Sequence, residues 1–113
     1  MMRFVLVAVS VSFLSLTACA SAPFVAPEEA KALVKQGAPL VDVRTPEEFA
    51  AGHLDGAINI PIDDLDARKG ELKKDADVVL YCRSGARSER GKKLLLAAGF
   101  TKVHNLGGMS NWK

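Results

Sequence analysis

The strongest constraint on the fold of this 113-residue chain is a repeated alternation of very short apolar runs with segments that carry helix-start signals. Leu40-Val41-Asp42-Val43, Ala57-Ile58-Asn59-Ile60, residues 77–81 and residues 102–106 read as strands too short to stand alone. Runs this apolar need cover on both faces, and intervening helices supply it on a mainly parallel sheet. The predicted class is therefore α/β. In such sheets ligands gather beyond the strand C-termini, so residues just after each apolar run are the candidates for chemistry.

The helix signals are local. Pro27-Glu28-Glu29 places Pro and acids in a first turn, and Gly37 ends that helix. Thr45-Pro46-Glu47-Glu48 repeats the pattern before Gly52, and a helical turn follows Pro61 from Asp63 to Arg68, broken at Gly70. A longer helix is predicted over residues 88–98, with Gly91, Leu94, Leu95 and Ala98 on one sheet-facing side and Gly99 at its end. Phe24-Val25 is expected to add an edge strand, and Gly107 to Trp112 a terminal turn.

The run from Cys82 through Arg83, Ser84, Gly85, Ala86, Arg87 and Ser88 sits between the most strand-like stretch and the longest helix. Small residues let the backbone curl there, so loop amides converge with the partial positive charge of a helix N-terminus. That field lowers a thiol pKa, and the thiolate is the reactive form. Arg83 and Arg87 add fixed charge, and Arg87 is suited to planar, bidentate contact with an oxyanion. Cys82 is the candidate nucleophile, with residues 83–88 as the anion cradle.

The first residues have a different purpose. Met1-Met2-Arg3 gives a positive start, an apolar stretch broken only by Ser follows, and Leu16-Thr17-Ala18-Cys19 closes it, the layout of an export signal. The last four residues resemble a bacterial lipoprotein box, in which cleavage precedes the Cys and its sulfur is acylated. Residues 1–18 are thus read as a signal peptide, 19–26 as a short tether and 27–113 as the domain, with Cys19 the lipidation site. Cleavage after Ala20, or retention as an anchor, are the duller alternatives. With Cys19 acylated or removed, Cys82 is the one free thiol, and no disulfide staples the fold in the oxidising periplasm. The net charge of +2, with no basic stripe or aromatic platform, gives no sign of nucleic-acid binding. No zinc-type Cys/His spacing is present.

Four separated blocks resemble the single-domain rhodaneses, thiosulfate or persulfide sulfurtransferases. They are Val41-Asp42-Val43-Arg44-Thr45-Pro46-Glu47-Glu48-Phe49, the run from Gly52-His53-Leu54 to Pro61, the Cys82 loop from Tyr81, and Leu106-Gly107-Gly108-Met109-Ser110-Asn111-Trp112. The exported, phage-shock type of periplasmic rhodanese is the most similar. The resemblance implies a five-stranded, mainly parallel sheet flanked by helices, and a persulfide on Cys82 loaded by a small anionic sulfur donor. A thiol or cyanide acceptor then takes the sulfur. It implies no cofactor; with the composition already giving no metal site and no nucleic-acid partner, a monomer is expected. Ala20 after Cys19 favours a lipid tether to the outer membrane over inner-membrane retention.

Three rival functions fit parts of the same pattern. Cys-dependent phosphatases and arsenate reductases of this fold type resemble Cys-x5-Arg, whereas the spacing here is Cys-x4-Arg, a tighter cup. A non-catalytic rhodanese-like binding module would normally lack the Cys. A Cys-His hydrolase would need His53 or His104; His53 is read as a turn hydrogen-bonder and His104 as packing or surface. Asp42 and Arg44 are expected to form a buried ion pair, and Trp112 to pack in the terminal turn.

Overall fold

The computed structural model describes residues 24–113, so the signal, the Cys19 lipidation site and most of the tether lie outside the described residues. Helix α1 (Pro27–Lys35) leads to strand β1 (Leu40–Asp42), α2 (Pro46–Ala51), β2 (Ile58–Asn59) and α3 (Ile62–Arg68). A 3-10 turn at Lys69–Glu71 precedes β3 (Val78–Cys82), α4 (Ala86–Ala97), β4 (Val103–Gly108) and a closing 3-10 turn, Met109–Trp112. All strand pairs are parallel, in the order β2-β1-β3-β4, which puts β3 inside the sheet with its C-terminal end flanked by β1 and β4.

Strand alternation decides the two cores. Val78, Leu80 and Cys82 face one side, where Val41, Val43, Ile60, Leu65, Leu95 and Phe100 join them beneath α3 and α4. Val79 and Tyr81 face the other, packed with Leu40, Ala30 of α1, Leu106 and the half-buried Trp112. Burying side chains of this size contributes about 1.5–3 kcal/mol each. Gly91 faces the sheet as expected: a Cβ there would lie 3.2 Å from both Leu65 Cδ2 and Leu80 Cδ1, so its absence lets α4 approach α3 and β3 closely. α4 starts at Ala86, two residues before the sequence expectation.

Two expectations are corrected. The described residues form four strands, not five: Phe24-Val25 makes a single ladder-like bond, Val25 N–H to the Asn105 carbonyl at 2.8 Å, before Pro27 turns the chain into α1. β4 in turn runs on through Gly107 and Gly108 instead of ending at Leu106. A bulge at Leu106 of β4, opposite the step from Leu80 to Tyr81 of β3, pairs Leu80 with Asn105 but Tyr81 with Gly107, and the strand resumes beyond it. Glycines read as a turn therefore form strand beside the Cys82 loop.

Candidate active site

The end of β3 delivers Cys82 to the sheet edge almost fully buried, at 1% exposure. Gly85 then reverses the chain at φ +101°, a left-handed conformation that costs a side-chain-bearing residue. No side chain caps the helix that begins next. Its free amides turn inward instead: Gly85 N–H donates to Cys82 Sγ at 3.0 Å and Ser88 N–H at 3.4 Å. The Ser88 hydroxyl donates to the Gly85 carbonyl at 3.1 Å and lies 3.3 Å from the sulfur, so its one proton can turn from the carbonyl to a sulfur that becomes negative.

Burial pushes the Cys82 thiol up, but hydrogen bonds from the Ser88 hydroxyl and from the amides of Ser88, Gly85 and Ser84 outweigh it and hold the pKa below the ordinary thiol value. The arrangement stabilises a sulfur anion through these donors. Among the described residues no group of His, Cys, Asp and Glu has the geometry to hold a metal ion.

Of the predicted cradle, Gly85 and Ser88 are buried around the sulfur, whereas Arg83, Ser84 and Ala86 are exposed at the rim. Arg87 is occupied. Its Nη1 and Nη2 donate to Glu48 Oε1 and Oε2 at 2.6 and 3.0 Å, and both side chains are 29% exposed. Glu48 also accepts from Thr45 N–H and Oγ1, each at 3.2 Å. Arg87 above all, and the Thr45 amide after it, hold the Glu48 carboxyl down at about 2. Glu48 lies in the Thr45-x-x-Glu48 pattern of a capping box, and that local role concealed its second one, since nothing in the sequence shows that a residue 39 positions away shares it.

Two further residues support the loop from behind. Asn105, 1% exposed, donates to the Gly85 carbonyl at 3.4 Å and to Glu89 Oε2 at 3.0 Å, and accepts from Gly107 N–H at 2.8 Å. The Phe24 ring lies where a Cβ on Gly85 would stand, 2.6 Å from Cζ. Gly108 is equally confined, since its Cβ would meet the Arg83 carbonyl at 2.6 Å.

The neighbouring loop after β1 is structural, as expected. Arg44 Nη2 and Nε reach both Asp42 oxygens at 2.6–3.0 Å with the carboxylate fully buried, and Nη2 also donates to the Gly52 carbonyl at 2.7 Å. Neither His approaches a catalytic role: His53 Nδ1 is paired with the Phe49 carbonyl at 2.9 Å, and His104 Nε2 with Asp77 at 2.8 Å, at the far end of β3 from Cys82.

The rhodanese-like domain matches residues 26–113, the whole of the packed unit from the start of α1. The chain belongs to the rhodanese-like family. A Bacillus subtilis protein, YqhL, is 46% identical over 76 residues, covering 66% of this chain but only 60% of its own length. The Escherichia coli thiosulfate sulfurtransferase PspE is 37% identical over 73 residues, 63% of this chain and 70% of PspE. Among solved structures, the human single-domain sulfurtransferase TSTD1 superposes with a TM-score of 0.70 at 32% identity, over 80% of this chain and 95% of that one. This rhodanese-like domain thus shares its fold with proteins named as sulfurtransferases.

Proposed function

We propose that this protein is a thiosulfate sulfurtransferase working through a persulfide on Cys82. The observation that carries the reading is the convergence of the Gly85 and Ser88 amides and the Ser88 hydroxyl on one buried sulfur. The Cys82 thiolate attacks the outer sulfur of thiosulfate or a comparable sulfane-sulfur donor. A new S–S bond forms at Sγ as the donor's S–S bond breaks, and sulfite leaves with the electron pair. An acceptor such as cyanide or a thiolate then attacks the terminal sulfur, the persulfide bond breaks, and Cys82 is returned as thiolate. Both half-reactions begin or end with negative charge on sulfur, which the loop amides stabilise. No cofactor takes part.

The same reading places the protein in the periplasm as a monomer, tethered to the outer membrane by lipid on Cys19, supported by the Leu16-Thr17-Ala18-Cys19 sequence.

Intact mass spectrometry tests both statements on protein purified from whole cells after separate collection of the membrane and soluble fractions. Thiosulfate treatment adds about 32 mass units at Cys82, cyanide removes them as thiocyanate, and the mature N-terminus carries acyl chains on Cys19. Cys82→Ser abolishes the added mass and the turnover. A wild-type protein that takes up no sulfur contradicts the sulfurtransferase reading and leaves a binding module or phosphatase; an unacylated, soluble protein contradicts the tether.

A further inference from the structure

The Cys82 loop carries two arginines: Arg83 is exposed, while Arg87, close enough to Cys82 to feel its charge, forms a two-point ion pair with Glu48. The whole fork of Arg87 is turned to Glu48, and Glu48 is itself fixed by two bonds from Thr45, so the pair is held from both helices. Its net charge is zero. An unpaired Arg at this position would offer a full positive charge to a donor, and at 29% exposure on each side solvent screens that difference only in part.

We propose that Glu48 is a specificity-determining residue of the transfer reaction: by neutralising Arg87 at the loop mouth, it biases the enzyme toward monoanionic sulfane-sulfur donors, such as persulfides and thiosulfonates, over dianionic thiosulfate. This rests on the sulfurtransferase reading and deepens it. For the second negative charge of a dianion, attraction to Arg87 and repulsion from Glu48 largely cancel. What remains is the amide cradle and Arg83, which a monoanion uses as well. If Glu48 served only to aim Arg87 at the donor, its removal would weaken thiosulfate binding, so the two roles predict opposite signs.

Thiosulfate and benzenethiosulfonate make the comparison, because both present a terminal sulfane sulfur and they differ by one unit of charge. In each case the Cys82 thiolate takes that sulfur and the leaving group, sulfite or benzenesulfinate, departs with the electron pair. The quantity read is kcat/KM for thiosulfate divided by kcat/KM for benzenethiosulfonate on one enzyme preparation, which does not depend on the fraction folded. Glu48→Gln removes the charge while keeping a residue type that closes a capping box, and it raises the ratio about fivefold at low salt. The gain shrinks as added salt screens it. Glu48→Ala, which removes charge and cap together, raises the ratio equally, and Glu48→Asp leaves it within about twofold of wild type. A ratio unchanged or lowered in both Glu48→Gln and Glu48→Ala overturns the proposal. Absence of transfer from either donor by the wild-type enzyme overturns the sulfurtransferase reading instead, and this inference with it.

Discussion

Two helices leave the same edge of the sheet after neighbouring strands, and they begin in opposite ways. α2 is closed by its own side chains: Thr45 Oγ1 accepts from Glu48 N–H at 3.2 Å and Glu48 Oε1 accepts from Thr45 N–H at 3.2 Å. α4 has no such cap. It starts from a glycine in left-handed geometry, and the amides that a cap would satisfy are directed to Cys82 Sγ. A helix N-terminus leaves several N–H groups without helical partners whatever the sequence. Spending them on a side chain makes architecture; aiming them at a sulfur makes a site that stabilises an anion.

The contrast can be broken at Gly85, where the largest effect is expected. Gly85→Ala meets both a disfavoured φ and the Phe24 ring, and should destabilise the protein by about 2–4 kcal/mol in thermal or denaturant unfolding. Because the loop cannot keep its curve with a Cβ there, iodoacetamide alkylation of Cys82 should slow at neutral pH as well. A stable, equally reactive variant would show that the reversal at Gly85 is incidental to the sulfur site. Thr45→Ala removes the side-chain cap of α2. Loss of the cap should cost about 1 kcal/mol, with alkylation of Cys82 slowed far less than in Gly85→Ala. An effect on reactivity matching that of Gly85→Ala would mean the two helix starts are not separable.

Much of this was legible in the sequence because it depends on neighbours along the chain. Pro27 and Pro46 set helix starts, the apolar runs set three strands to within one residue at each end, and Cys82 to Ser88 declared a tight loop by its small residues. The Asp42–Arg44 pair is likewise two residues apart. What escaped depends on contacts the chain makes at long range. Val25 bonds once to Asn105, which is too little for the fifth strand its apolar pattern promised. Gly107 and Gly108 look like turn residues, yet a bulge across from Leu80 and Tyr81 lets the strand pass through them, and the Arg83 backbone demands the missing side chain. Arg87 looked free to grip an oxyanion because its partner is a capping residue on another helix. Local grammar identifies Glu48 as the end of a capping box; only the packed fold shows that it also pairs with Arg87.

The open start of α4 favours the anionic form of the Cys82 sulfur, and the pH dependence of Cys82 alkylation reads that preference. Hydrogen bonding to the charged form lowers the folded-state pKa, so thiolate stability is fully present above the unfolded thiol value and fades as pH falls through the folded one. The rate of iodoacetamide reaction, followed by intact mass on the folded protein, should therefore reach half its plateau below the value of about 8.5 typical of an unperturbed thiol. In Ser88→Ala, which loses the hydroxyl 3.3 Å from the sulfur, the midpoint should move up toward that value. A wild-type midpoint at or above the unperturbed value, or one that Ser88→Ala leaves in place, would contradict the claim that these donors stabilise the sulfur anion.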